Sequence, residues 1–564
     1  MKFIIQKKLF AFCVSLLVLT IAAPLDMAGQ PSVLKKATKS LFVLNIFDDA
    51  GRLLGSSKGF YVGSQGEALS CYEPMRGASR AVVIGADGKE HAVECILGAN
   101  ETYNVVKFKV ADTKSVPVQL ATTTIPVGGR AWMLSGKDVK KAAGGTVRKV
   151  EKFKGQNDYY TLAMSIPTGT EGSPLFNDEG RVVGLMERPL SESDTLSYAV
   201  SALFADSLTI KGLSINDASL RAIKIKKDLP QQLEQAVVTL YLASSIQDST
   251  AYDEMIEDFI RRFPTAPDGY YYRALRAYQR DDFEAVQNDM ELSIRMSEQK
   301  DAPHYSYSRF IYEKVLFKPQ LPYESWTLDK ALSEAVDAYA FTPQPAYRHQ
   351  QALILFAQQK YQDAAQVYTE LLQGPMRSPE IFHEASRCHV MMGDTLSQLA
   401  LLDSAVAMFD RPYLRNAAPY LLARSQALLD AGKFRQAVLD MNAYEELMRG
   451  QLNDRFYYLR HQADLGGRLY QQALNDINKA IELRPDYDVY LSEKASLLIR
   501  VGMLDEAIET ASQLITLSPS QSDGYLFLGL AQCIKGQKSE GLSNLQKAVE
   551  KGDLQAAELM KRYQ

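Results

Sequence analysis

The chain has 564 residues, too many for one hydrophobic core, so at least two or three domains are expected. Its composition, 46% hydrophobic and 23% charged, is ordinary for globular protein. A formal charge of −4 is small for this length and argues against a dedicated nucleic-acid binder.

The first residues, MKFIIQKKLFAFCVSLLVLTIAAPLDMAGQ, have the layout of a secretory signal. Lys2, Lys7 and Lys8 supply the positive start and Leu9 to Ala23 the apolar run, with cleavage expected between Ala23 and Gln30. The run is about 15 residues, short of the roughly 20 that span a bilayer. Cys13 sits inside it rather than at its end, unlike a lipoprotein cysteine. Residues 1–29 are therefore expected to be a signal peptide. No later segment is apolar enough to cross a membrane, so the mature chain is expected to be exported to the periplasm, the cell envelope or the medium. Cys71, Cys95, Cys388 and Cys533 are too sparse for a disulfide scaffold. Cys71 and Cys95 share a domain, and whether they pair is left open.

From about Ser32 to Leu213, short apolar runs are broken by Gly, Asp and Asn: SLFVLNIFD, GFYVG, NVVKFKV, RAWMLSG, DYYTLAM and RVVGLM. β-branched and aromatic residues dominate, which predicts an all-β sandwich or barrel. Four stretches carry a more specific likeness: GSSKGFYVGSQGEALSCYEPMRGASRAVVIGADGKEH, ILGANETYNVVKFKV, GTEGSPLFNDEGRVVGL and LSYAVS. In that order they resemble successive segments of trypsin-like serine proteases of the HtrA/Deg type, and the resemblance implies a double β-barrel. It puts the family's histidine on Glu73, its aspartate on Asn104 and its nucleophilic serine on Glu171.

Trypsin-like catalysis needs a hydroxyl to attack, an imidazole to take its proton and a carboxylate to hold that imidazole. All three positions are occupied by other residues, so no catalytic residue is expected. His91, the domain's only histidine, lies on a hairpin strand away from the matching position. Ser173 is two residues beyond the nucleophile position, and displacements near ~1 Å already cost heavily. Three readings of the glutamates stay open. Glu171 could fill the hole whose amides once held an oxyanion. Glu73 and Glu171 could face each other and share a proton or a cation. Or both are solvated remnants.

Beyond Leu213 strand-like runs vanish and Ala, Leu, Tyr, Gln, Glu and Arg recur at helical spacing, with a sequence period of 34 between Ala473 and Ala507 and between Pro485 and Pro519. YYLRHQADLGGRLYQQALNDINKAIELRP and YLSEKASLLIRVGMLDEAIETASQLITLSP are the clearest pair, and YLFLGLAQCIKGQKSEGLSNLQKAVEKG continues them. These units resemble tetratricopeptide repeats (TPRs), each a pair of helices. Seven units are recognisable, with a divergent helical stretch from Ala302 to Phe341, a helical pair from Leu229 to Pro264, and a capping helix in LQAAELMKRYQ. Small residues such as Ala352, Ala495, Gly529, Ala364, Ala473 and Ala507 would let the two helices approach, and a proline ends the unit.

The TPR likeness implies a groove lined by first helices. Its outward positions fall on Tyr271, Tyr278, His349, Phe356, His383, Arg387, Gln426, Tyr458, Gln462 and Arg500, residue types that anchor proteins and peptides. The alternative is that they pack against neighbouring repeats. His383 and His389 are not at H-E-x-x-H spacing, and no glycine turn is followed by the lysine of a phosphate loop, so neither metal nor cofactor is expected.

The expected fold class is multidomain: an all-β double-barrel trypsin-like domain over 32–213, a linker over 214–228, and an all-α TPR solenoid over 229–564. The expected function is that of an exported, non-catalytic scaffold binding proteins or peptides, without nucleic acid or a retained transmembrane segment. The alternatives are an active HtrA-like serine endopeptidase with TPRs for targeting, and a purely structural envelope scaffold.

Overall fold

The computed structural model describes residues 33–111, 114–154, 157–188, 195–245 and 249–563, in two compact units, Met1–Gln279 and Arg280–Gln564. The expected signal peptide lies outside the described residues. Among the described residues, no helix is long and apolar enough to cross a membrane.

In the first unit, six strands close one antiparallel barrel: β1 (Leu41–Phe47), β2 (Leu53–Tyr61), β3 (Glu67–Cys71), β4 (Arg80–Ile84), β5 (Glu90–Asn100) and β6 (Val105–Val110), in the order β1-β2-β3-β6-β5-β4. A second barrel repeats the scheme with β7 (Arg130–Met133), β8 (Ala143–Phe153), β9 (Asn157–Ala163), β10 (Pro174–Phe176), β11 (Val182–Met186) and β12 (Leu196–Ser201), in the order β7-β8-β9-β12-β11-β10.

The strand pattern explains which faces are buried. In β6, Val106, Phe108 and Val110 enter the first core while Lys107 and Lys109 point away, the alternation of a half-buried strand. β11 reads VVGLM without alternation because both of its faces are covered. Val183 and Met186 enter the second-barrel core, whereas Val182 and Leu185 join Phe60, Leu69 and Cys71 in a third core between the barrels.

Residues 214–228, expected as a linker, run along the first barrel. Ile96 N donates to Lys226 O (2.8 Å) and Lys224 N to Ala78 O (2.7 Å), while Leu220, Ile223 and Ile225 enter the first-barrel core. Among the described residues, three helices of more than one turn follow in this unit: α1 (Leu233–Ala243), α2 (Ser249–Arg262) and α3 (Pro267–Gln279).

The second unit opens with α4 (Phe283–Met296). Helix pairs follow: α5 (Asp301–Phe317) with α6 (Leu328–Phe341), α7 (Pro345–Ala357) with α8 (Tyr361–Leu372), α9 (Pro379–Met391) with α10 (Thr395–Ala407), and α11 (Ala418–Asp430) with α12 (Phe434–Leu447). The series continues with α13 (Asp454–Gly466) and α14 (Tyr470–Leu483), α15 (Asp488–Arg500) and α16 (Leu504–Leu517), α17 (Asp523–Lys535) and α18 (Lys538–Glu550), and ends with α19 (Leu554–Tyr563).

Small residues close each pair: Ala352, Ala364, Ala473, Ala495 and Ala507 are fully buried. At α17–α18 a Cβ on Gly529 would lie 2.8 Å from Gly541 O, and one on Gly541 would lie 2.4 Å from Cys533 Sγ, so this crossing needs two glycines. Bidentate ion pairs add to the seam. Arg424 grips Asp440 at 2.7 Å on both oxygens, and Arg460 grips Asp476 at 2.7 and 2.8 Å. Between consecutive pairs, a tyrosine on one first helix donates to an acid on the preceding first helix: Tyr347 to Asp301 (2.9 Å), Tyr420 to Glu380 (2.7 Å) and Tyr490 to Asp454 (2.7 Å).

One buried acid works against the array. Asp464 on α13 is 1% exposed and its Oδ1 has no hydrogen-bond partner among the described residues. Burial, with the charge of Asp476 adding to it, pushes its carboxyl up to about 7. The folded chain therefore holds a proton that the unfolded chain releases from about pH 4 upward, so this group lowers stability progressively between about pH 4 and 7. Asp464→Asn is expected to be more stable than the parent by on the order of 1 kcal/mol at pH 8, with the difference shrinking toward pH 4. Urea unfolding at pH 5 and pH 8 checks this.

Candidate functional site

The two barrels meet at a short loop before β10. Gly169 (φ +74°) and Gly172 (φ +84°) hold left-handed conformations there, and Thr170 Oγ1 donates to Pro167 O at 2.7 Å. Lys58 N of β2 donates to Glu171 O, and Gly172 N donates to Met186 O of β11, both at 2.9 Å. The loop is thus clamped between a strand of each barrel. A Cβ on Gly172 would sit 2.1 Å from Lys58 O, so only glycine fits.

Across the junction, β3 ends at Cys71 and the chain passes through buried Tyr72 into a short helical turn, Glu73–Met75. Asn104 closes the turn before β6 with φ +50°, a conformation asparagine tolerates better than most residues. Its Oδ1 accepts from Glu73 N at 2.8 Å and its O accepts from Tyr72 N at 3.1 Å. Its Nδ2 donates to Glu187 Oε2 at 3.0 Å. Glu73 and Asn104 are therefore neighbours. Glu187, which sequence reasoning missed, extends the chain to the second barrel. Its signal was positional: it directly follows the strand after the nucleophile-like loop.

Glu171 is 8% exposed, which removes the reading of it as a solvated remnant. Its Oε1 lies 3.7 Å from an Arg188 nitrogen, and Oε2 accepts no hydrogen bond among the described residues. The hole-filling reading thus finds no amide at that oxygen. Glu73, by contrast, is exposed, and the carboxylate coupled to it is Glu187. Burial raises the Glu187 pKa, the Asn104 hydrogen bond opposes this, and the charge of Glu73 adds to the rise.

Cys71 is buried beside this acidic group, with Sγ 3.8 Å from Met186 O. Burial, then the charges of Glu187, Glu171 and Glu73, push its thiol well above the usual range. Such a thiol stays protonated and is a poor nucleophile. Cys71 and Cys95 are both free. His91 lies on the β4–β5 hairpin, 3.3 Å from Asp87, while Ser173 Oγ is buried and has no partner among the described residues.

On the helical array, the predicted groove residues fall into groups. His349, Phe356, His383 and Arg387 come together on α7 and α9. His349 Nε2 lies 2.5 Å from Glu384 Oε2, and the exposed Arg387 guanidinium sits 4.8 Å from the Phe356 ring centre. Burial, helped by Arg387, holds the His383 imidazole below its usual pKa and so neutral at pH 7. A second group surrounds Glu493 on α15: Tyr458, Gln462 and Arg500 all bear on it directly or through Tyr458. Glu384 and Glu493 organise these groups and were missed, since acids on a polar helix face look like ordinary solvated charge. Gln426 stands apart, bonded to Asp430 of its own helix at 3.0 Å. Tyr271 and Tyr278 lie on α3 in the first unit, half-buried, with Tyr271 edge-on to Tyr272 at 5.4 Å. Among the described residues, His304, Glu334 and Asp337 have metal-like spacing, but Glu334 already meets His304 and Lys330, each at 2.6 Å.

Comparison with known proteins gives the class of each half. Residues 57–185 match the family model of the trypsin-like peptidase domain. The chain is also similar to two proteins named small glutamine-rich tetratricopeptide repeat-containing protein 2. One is from Mycosarcoma maydis, 36% identical over 81 residues, and the other from Saccharomyces cerevisiae, 30% identical over 93 residues. These matches take in 14% and 16% of this chain and only 23% and 27% of those relatives. Among solved structures, the active form of the Rv3671c protease from M. tuberculosis is 16% identical, with 37% of this chain and 90% of that one covered and a TM-score of 0.29. The serine endoprotease from Yersinia pestis is 14% identical, with 33% and 65% covered and a TM-score of 0.28. The chain thus carries a trypsin-like double β-barrel followed by a helical repeat region related to TPR proteins.

The environment of Cys71 sets an expected outcome. In the folded protein at pH 8, its alkylation by iodoacetamide should be at least about a hundredfold slower than that of the unfolded chain, because both burial and the neighbouring carboxylates suppress the thiolate. Peptide mapping by mass spectrometry checks it, and fast labelling of Cys71 would contradict the geometry.

Proposed function

We propose that this chain is an exported, non-catalytic trypsin-fold protein whose helical array captures protein or peptide segments. The observation that carries the reading is the composition of the barrel junction. The positions that resemble the triad hold Glu73, Asn104 and Glu171, and the Ser173 hydroxyl and Cys71 thiol at the same junction are buried without an imidazole partner among the described residues. A nucleophile needs a base in hydrogen-bond reach, and a carboxylate such as Glu171 would repel the oxyanion of an acyl intermediate.

The array supplies the binding half of the reading. The likeness to TPR proteins supports recognition of polypeptides, and the cluster of Phe356, His383, Glu384 and Arg387 offers an aromatic face, a neutral imidazole and both signs of charge within one patch. The apolar, lysine-led N-terminus supports export.

Two measurements test this. Purified protein incubated with casein or a fluorogenic peptide series is expected to give no cleavage above buffer, and Glu171→Ala is expected to behave identically. Cleavage lost in that variant would overturn the non-catalytic reading. Separately, peptides selected on the immobilised protein from a random library are expected to bind Arg387→Ala about tenfold or more weakly, as for loss of one anchor in a protein interface. Unchanged affinity, with helix content intact by circular dichroism, would remove this patch from the binding surface.

A further inference from the structure

We propose that a cavity between the first barrel, the 210–229 segment and helices α1 and α2 binds a small carboxylate carried on an apolar body, with Lys227 as its counter-ion. The cavity encloses about 580 Å³, within the range of small-molecule sites. Its accessible apolar wall is made by Ile210, Ile215 and Met255, backed by the buried Leu220, Ile223 and Leu229.

The charges around it separate into satisfied and unsatisfied groups. Lys224 pairs with Asp49, Lys226 with Asp258, and Asp228 with Arg262 at 2.6 Å. Arg221 and Glu254 are exposed. Lys227 differs. Its ammonium donates to the Ile223 carbonyl, and no carboxylate pairs with it among the described residues. An ammonium has three donors, and the half-buried Lys227 has one neutral acceptor among the described residues, which leaves room for an anion. Burial alone pushes its pKa down to about 8. A ligand carboxylate would complete the shell with a charge-assisted hydrogen bond, and an apolar tail would cover Ile210, Ile215 and Met255. Inorganic anions would gain the first interaction without the second.

Titration calorimetry on the full chain with octanoate, octanamide and inorganic phosphate tests the assignment. Saturable one-to-one binding of octanoate is expected, with octanamide and phosphate each about tenfold weaker or more. Lys227→Met should weaken octanoate by a similar factor, and Lys227→Arg, which keeps the charge, should retain most of the affinity. Circular dichroism checks that both variants fold. If Lys227→Met does not, the octanoate–octanamide comparison on the parent protein decides. Equal affinity for octanoate and octanamide, phosphate binding as tight as octanoate, unchanged binding in a folded Lys227→Met, or no saturable binding at millimolar octanoate would each overturn the proposal.

Discussion

The barrel junction depends on one backbone constraint: the loop around Glu171 is pinned on both sides by main-chain hydrogen bonds, to Lys58 of β2 and to Met186 of β11. Gly172 makes that approach possible, because any side chain there would collide with the Lys58 carbonyl. With its backbone fixed, the Glu171 side chain has little freedom to reach solvent, and its burial follows from the position of the main chain. The same clamp brings β11 beside Cys71 and Glu187 beside Asn104, so the chemistry of the cleft is a consequence of how the two barrels are sewn together.

That chemistry is one of accumulated negative charge. Glu171, Glu187 and Glu73 all act on the Cys71 thiol in the same sense, and Arg188 is the cation that opposes them. A protease cleft is built to stabilise an oxyanion. Here the neighbouring carboxylates disfavour an anion at the Cys71 sulfur. That charge is carried by a few side chains on a scaffold whose stability comes from three apolar cores.

Much of this was legible in the sequence. The alternating and unbroken apolar runs marked the strands, β11 included, and the 34-residue period marked the helical pairs. Family likeness assigned Glu73 and Asn104 to their positions, but their contact depends on the Asn104 side chain held in a left-handed turn that favours asparagine. What could not be read was anything set by long-range approach. Glu187 becomes a partner of Asn104 only once two barrels meet, and Glu171 becomes buried only once Lys58 reaches it. The stretch 214–228 looks like a polar connector, yet Leu220, Ile223 and Ile225 enter the first-barrel core at a spacing too irregular to signal a strand or helix. Lys227 was invisible for the same reason: its unusual state comes from walls contributed by distant segments.

The tyrosine contacts between consecutive first helices occur at alternate junctions of the array, at α5–α7, α9–α11 and α13–α15. Each spans only two neighbouring units, and apolar packing crosses the joints as well: one core holds Ala352 of α7, Phe382 of α9 and Leu421 of α11. At the α7–α9 and α15–α17 joints the first helices meet through other side chains, His349 with Glu384 at 2.5 Å and Ser492 with Asp523 at 2.9 Å. Neighbouring units are thus joined by local contacts of varied chemistry, so loss of one tyrosine hydroxyl would act on a single joint and leave the rest of the stack in place.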